Sequence, residues 1–304
     1  MNTVVAIKSL EDNPYFVEKA NQIFDEIDYL PERPGKEILE SLLSEYDVLI
    51  IGARERISGE MLQVGNLKTR IIGTLSVGTD HLDMEALTEA GIHVERCPTA
   101  NVRSVAEHVM TVLLALSKHI KLSDRLVAEG KSRQDLPSLP REACGKTLGL
   151  IGYGNIGRLV AQLGQAFGME VIATSPTNRG GSDGRVTFAE LAEVLTSSDY
   201  ISISVPLNQE TTGLIDATQL LKVKKGAILV NTSRAEVVVE SDIVSALDSG
   251  KLGGYSADYD HPSSELAKRA NVILTPHIAG VTVESYDRLD NELIDRLEAY
   301  FGSI

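Results

Sequence analysis

Gly152, Gly154 and Gly157, in the run GKTLGLIGYGNIGRLVAQLGQAFGMEVIA, have the spacing of a phosphate cradle. Gly152 allows a tight turn, Gly154 lets the backbone approach a pyrophosphate, and Gly157 lets a helix pack close on the strand before it. The helix start, with Asn155 and Ile156 completing the cradle, presents unpaired amides and a positive dipole end to the phosphates. The spacing alone is weak evidence. Here a strand at residues 147–151 precedes it, an amphipathic helix through Leu159, Val160, Leu163 and Phe167 follows it, and a second strand comes at 171–174. A chain that binds NAD would carry an acid about 20 residues past the glycines, on the ribose 2′-hydroxyl. This chain has Ser175 there, followed by Pro176, Thr177, Asn178 and Arg179. Hydroxyls and a guanidinium with no repelling anion favour NADP over NAD; the alternative is a permissive loop that takes NAD and leaves Arg179 in solvent.

The elements that must hold this cradle read as alternating strands and helices. Short β-branched runs recur at 3–7, 48–51, 71–75, 147–151, 171–174, 200–205, 227–231 and 272–274, with helical spacing between them, as at Val17, Ala20, Ile23 and Phe24 or Ile243, Val244 and Leu247. Strands joined by helical crossovers imply right-handed βαβ units and parallel sheets covered on both faces, so the fold class is α/β. Residues 101 to about 129 read as one long helix with Val105, Val109, Val112, Leu113, Leu116 and Ile120 on its apolar side, long enough to bridge two domains. A final helix spans about 283–300. The expected division is a domain of residues 1–100 plus 278–304 around an inserted dinucleotide-binding domain of 101–277.

Composition narrows the classes further. The 304 residues include 29 Lys and Arg against 43 Asp and Glu, a net charge of −14, with 43% hydrophobic residues. That is an ordinary globular balance for about two domains, and an acidic chain makes nucleic acid and anionic membrane poor partners. The N-terminus lacks the pattern of a signal peptide and the longest apolar stretch, 109–116, is far short of the roughly 20 residues a membrane span needs, so a cytoplasmic protein is expected. Cys97 and Cys144 make no disulfide framework and have no metal-ligand pattern around them; no metal is expected.

With the glycine motif, the ordered blocks SVGTDHLD (76–83), NVRSVAEHV (101–109), NTSRAEVVVE (231–240), YSADY (255–259) and LTPHIAGVTVES (274–285) resemble the D-2-hydroxyacid dehydrogenase family over nearly the whole chain. The resemblance implies two doubly wound parallel-sheet domains, a Rossmann cofactor domain inserted in a flavodoxin-like substrate domain. It also implies hydride transfer between NAD(P)H and a small 2-oxo or 2-hydroxy acid, of the glyoxylate, hydroxypyruvate or phosphoglycerate type. Such a reaction needs a carboxylate anchor, a proton for the carbonyl oxygen and exclusion of water. Arg234 matches the family's arginine, whose planar fork can bind carboxylate and polarise the carbonyl. His277 matches the acid/base, a role suited to a group with an ordinary pKa near 6.5. Val77 and Gly78 match the loop whose amides hold the substrate carboxylate. Asp258 matches a buried aspartate near the nicotinamide, and holding the strand end is an equal alternative. His108 and Glu107 are placed at a dimer interface or hinge, and a homodimer through the helix near residues 101–121 is implied.

The chain departs from the family at its third catalytic residue, a glutamate that pairs with the histidine just ahead of a proline. Here Asp258, Tyr259, Asp260, His261 and Pro262 run without a glutamate, so the partner of His277 is either Asp260, through a shorter arm, or Glu265 folding back. If neither reaches the ring, reduction shifts toward lower pH, because an unpaired imidazolium loses its proton earlier. Arg54 and Arg103 raise the expectation of a second anion on the substrate, against the alternative that both are solvated or paired. Two other functions fit the fold: oxidation of formate or phosphite, disfavoured by Pro276 ahead of His277, and a nucleotide-sensing, corepressor-like binding protein.

Overall fold

The computed structural model describes residues 1–63, 65–176, 181–259 and 262–303. The chain divides into two compact units, Met1–Asn101 with Thr282–Ile304, and Val102–Val281. In the first, strands β1 (Asn2–Val5), β2 (Glu26–Tyr29), β3 (Val48–Gly52), β4 (Ile71–Leu75) and β5 (His93–Arg96) form a parallel sheet in the order β2-β1-β3-β4-β5. That is the flavodoxin-like order. Successive side chains of a strand point to opposite faces, and the central strands are apolar on both. Val5, Val48 and Ile50 pack with Phe16 and with Leu289, Leu293, Ile294 and Leu297 of the C-terminal helix Val283–Gly302, while Val4, Leu49, Ile51 and Ile72 pack with Leu39, Leu42 and Leu43. The edge strand β2 is exposed or half-buried along its length.

The second unit holds β6 (Thr147–Ile151), β7 (Glu170–Thr174), β8 (Gly181–Asp183), β9 (Val186–Phe188), β10 (Tyr200–Ile203), β11 (Ala227–Asn231), β12 (Leu252–Asp258) and β13 (Val272–Thr275). Their order is β13-β12-β11-β10-β6-β7-β9-β8, parallel except for the β8/β9 pair. The chain leaves β6 toward β7 and returns on its other side as β10. Strand order reverses there, and open α/β sheets bind ligands beyond the carboxyl ends of the strands at such a point.

The segment read as a single long helix is two helices, Val102–Ser117 and Ile120–Ala128. His119 enters the left-handed region at φ 54°, and its amide bonds the Leu116 carbonyl, closing the first helix with a tight turn. Val105 is buried, and Val109, Val112, Leu113 and Leu116 share a buried cluster with Leu148, Leu150, Val160 and Ala161, whereas Ile120, past the break, is 56% exposed. The polar stripe Arg103, Glu107, Thr111 and Lys118 is left outside. Among the described residues, no helix is long and apolar enough to cross a membrane, and no cluster of His, Cys, Asp and Glu could hold a metal ion.

Candidate active site

The cradle forms where β6 ends. Gly152 adopts φ 100°, and a Cβ there would stand 2.5 Å from the Ser204 carbonyl oxygen beyond β10. A Cβ on Gly157 would stand 2.3 Å from the Gly152 carbonyl oxygen, so neither position admits a side chain. At Gly154 a Cβ would meet nothing within 4 Å. The space beside the start of the helix Asn155–Ala166 is therefore open, and the helix has no side-chain cap of its own. That geometry fits a dinucleotide pyrophosphate on the helix amides. Ser175 follows β7 and is half-buried; Thr177 and Arg179, the other two proposed 2′-phosphate contacts, lie outside the described residues.

Arg234 stands in the turn after β11, and the turn is laced from within. Asn231, fully buried, donates from Nδ2 to the Arg234 carbonyl (2.9 Å) and accepts the Ser233 amide on Oδ1 (2.9 Å). Ser233 Oγ donates to the Ile203 carbonyl (3.2 Å) and accepts the Val205 amide (3.1 Å), tying the end of β11 to the end of β10. The Arg234 guanidinium donates to the Ser233 carbonyl (2.9 Å) and is half-buried. A pair of phenols lies on and just past the paired strand β12: Tyr255 Oη lies 3.2 Å from Tyr259 Oη, and Tyr259 donates to Glu240 (3.4 Å). Burial raises both phenols, Tyr259 to about 12, so each stays neutral and keeps its proton for its neighbour.

His277 sits in the turn after β13 with its side chain exposed and its backbone at φ 54°. A histidine in the left-handed region costs about 1–3 kcal/mol and persists only where neighbours over-determine it. Asp258, 3% exposed at the end of β12, does so. Its Oδ1 accepts the Thr275 hydroxyl (2.6 Å) and the Ile278 amide (2.8 Å), and its Oδ2 accepts the Ala279 amide (2.7 Å). Thr275 Oγ1 is also 3.2 Å from His108 Nε2. His108, expected at an interface or hinge, thus turns its ring nitrogen onto the strand that leads to His277. Glu107 is exposed and pairs with Arg103 at 3.5 Å, a surface pair of about 0.3–0.5 kcal/mol.

Neither alternative for the carboxylate partner of His277 is seen on its ring. Asp260 lies outside the described residues. Glu265 is exposed in the short helix Ser264–Ala267, where Arg269 Nη2 donates to it at 3.3 Å. Among the described residues the His277 ring makes no hydrogen bond.

In the other unit, Val77 and Gly78 follow β4. Arg96 Nη1 donates to the Val77 carbonyl (2.6 Å) and Ser76 Oγ to the Gly78 carbonyl (2.8 Å). Both carbonyls are thereby occupied, and among the described residues neither amide has a protein partner, the state an anion-binding turn requires. Arg54 is exposed in a loop fixed by its neighbour Glu55, which accepts Arg33 Nε (2.5 Å) and the Gly52 amide (2.8 Å). Asn231, Thr275 and the Tyr255–Tyr259–Glu240 chain were missed in sequence, since a lone Asn, Thr or Tyr carries no spacing signal.

Comparison with known proteins identifies the family. The family model described as D-isomer specific 2-hydroxyacid dehydrogenase, NAD binding domain, matches residues 110–279. The chain is 34% identical over 289 residues to a hydroxypyruvate reductase of Thermotoga maritima, covering 91% of this chain and 92% of that one. It is 34% identical over 272 residues to a D-3-phosphoglycerate dehydrogenase of Mycobacterium tuberculosis, covering 86% of this chain but only 50% of that longer one. Among solved structures, an acyclic imino acid reductase (Bsp5) in complex with NADPH and D-Arg superposes with a TM-score of 0.90 at 28% identity, covering 100% of this chain and 98% of the other. The second unit is an NAD(P)-binding Rossmann domain, and the chain belongs to the D-isomer specific 2-hydroxyacid dehydrogenase family of oxidoreductases.

Proposed function

We propose that the protein reduces a small 2-oxo acid to the D-2-hydroxy acid, with NADPH preferred. The glycine turn and the amides of the helix Asn155–Ala166 would hold the pyrophosphate of a dinucleotide whose reduced nicotinamide would supply the hydride. Arg234 binds the substrate carboxylate through its forked donors and draws charge from the carbonyl. His277 gives a proton to the carbonyl oxygen as it becomes a hydroxyl, and takes it back in oxidation. The amides of Val77 and Gly78 are assigned to a carboxylate oxygen, and Asp260 is retained as the acid that supports His277. Arg54 is assigned to a second anion on the substrate; Arg103 already pairs with Glu107. The NADP preference rests on Ser175 in place of the ribose-binding acid, with Thr177 and Arg179 downstream. The observation that carries the reading is the His277 turn: a reactive imidazole exposed at φ 54° and held there by a buried carboxylate.

A second reading, reduction of the imine of a 2-oxo acid, is favoured by the likeness to the imino acid reductase and by the ring of His277, which no described carboxylate touches. An iminium nitrogen carries its proton already, so hydride addition there needs no acid partner on the histidine. A homodimer through the helix near residues 101–121, where Ile120 is 56% exposed, and a cytoplasmic location belong to the same reading.

Oxidation of NADPH and of NADH should be followed with glyoxylate, hydroxypyruvate, pyruvate, phosphohydroxypyruvate and oxaloacetate, each with and without an added amine. Turnover of NADPH with glyoxylate or hydroxypyruvate alone is expected. Turnover only with the amine selects the imine reading. Tight NADPH binding with no turnover in any mixture contradicts both.

A further inference from the structure

We propose that His108 is a positioning residue for His277, acting through Thr275 and Asp258 on the turn that carries the imidazole; this rests on the function assigned above. The direction of the bonds follows from what each group can do. An ionised carboxylate only accepts, so at 2.6 Å the Thr275 hydroxyl gives its one proton to Asp258 Oδ1. Its other neighbour in range, the Ala257 carbonyl, is at 3.5 Å and loses that competition. With its proton spent, Thr275 Oγ1 can only accept from His108 Nε2 at 3.2 Å. The ring is therefore in the tautomer with hydrogen on Nε2. Burial lowers its pKa, against the pull of Asp258, so near neutral pH it donates as an uncharged ring.

The chain of bonds joins three separate elements. His108 is on the helix Val102–Ser117, which is locked by Val109, Met110 and Val112 in the core of its unit. Thr275 ends β13 and Asp258 ends β12, two paired strands whose register sets Asp258 opposite Thr275. The carboxylate then fixes the amides of Ile278 and Ala279, the two residues after His277. A hydroxyl that receives a proton donor is a better donor in turn, so the His108 bond tightens the grip on Asp258 Oδ1, the oxygen that also holds Ile278. The histidine is needed as a donor at fixed reach. A glutamine can supply the same donor from the same helix position, and a leucine of similar bulk cannot.

The test compares His108→Leu, His108→Gln and Thr275→Val with the parent in two readouts. Steady-state reduction should show kcat about fivefold lower in His108→Leu, with KM for NADPH unchanged, and recovery in His108→Gln. Thr275→Val should lose as much or more, and His108→Leu added to it should cost nothing further. Amide hydrogen exchange should show Ile278 and Ala279 exchanging faster in His108→Leu and at the parent rate in His108→Gln, with the β6 amides unchanged in all. A leucine variant with parental kcat and parental exchange overturns the proposal, as does additivity of the two losses. The exchange readout needs no substrate: a parent that turns over no 2-oxo acid refutes the function assigned above, while the exchange comparison still decides the role of His108.

Discussion

The turn after β11 and the turn after β13 present the two side chains assigned to the chemistry, and they are held by opposite means. Between Asn231 and Arg234 the backbone leaves one N–H and one C=O without a ladder partner. A carboxamide has both a donor and an acceptor, and Asn231 satisfies the pair while staying neutral. Around His277 the groups left over are all donors: a hydroxyl and two amides. Only an acceptor with several lone pairs serves them, and a carboxylate is the strongest available. A charge that is 3% exposed carries a desolvation cost of several kcal/mol, which its three bonds offset. The polarity that the backbone leaves unpaired thus selects the buried residue, amide in one turn and acid in the other. The neutral turn has more neutral groups on and just past the paired strand β12, the phenols of Tyr255 and Tyr259. The charged turn is backed by His108 and Thr275, which add a donor.

Exchanging the two anchors, an amide for the acid and an acid for the amide, should have the largest effects. In Asp258→Asn the new amide points N–H groups at a donor, so at least one bond to the 278–279 turn is lost. We expect kcat to fall about 100-fold, the effect of a reacting group displaced by an ångström, and stability to fall by about 1–3 kcal/mol. Kinetics and thermal unfolding of the same preparation check both. The reverse exchange, Asn231→Asp, should act mainly on stability and with a definite pH dependence. A protonated carboxyl at zero exposure can still donate to the Arg234 carbonyl; an ionised one faces it with repulsion. Its folded-state pKa is therefore raised above the unfolded value near 4. The variant comes closest to the parent below that pH, and the difference grows as pH rises through the folded pKa. A difference in melting temperature that is flat from pH 4 to pH 8 contradicts it.

Much of the fold was legible because its central strands are apolar on both faces. The runs at 71–75, 147–151 and 227–231 coincide with β4, β6 and β11 to the residue. Three of the strands not foreseen, β2, β5 and β12, carry little signal in their pattern. β2 reads EIDY and β5 reads HVER, polar enough to pass for loop, and they are strands because β1 and β4 offer open edges. β12 carries Gly253 and Gly254 after its first residue and holds Ser256 and Asp258, so no alternation announces it, yet it is buried almost throughout between β11 and β13. The helix break at His119 was hidden because the residues around it keep helical spacing. At the candidate site, Arg234 and His277 stand out by their blocks, but the bonds behind them do not. His108, Asp258 and Thr275 are scattered across the sequence and meet only because β12 and β13 pair beneath one helix.

On the proposed function, the strained turn after β13 presents an imidazole that moves the substrate's proton. The most direct measurement is the single-turnover rate of NADPH oxidation by His277→Gln with the 2-oxo acid that the parent reduces best, alongside the Kd for NADPH. The expected rate is at least about 100-fold lower, with cofactor affinity unchanged. A glutamine variant that transfers hydride at the parental rate would contradict that role.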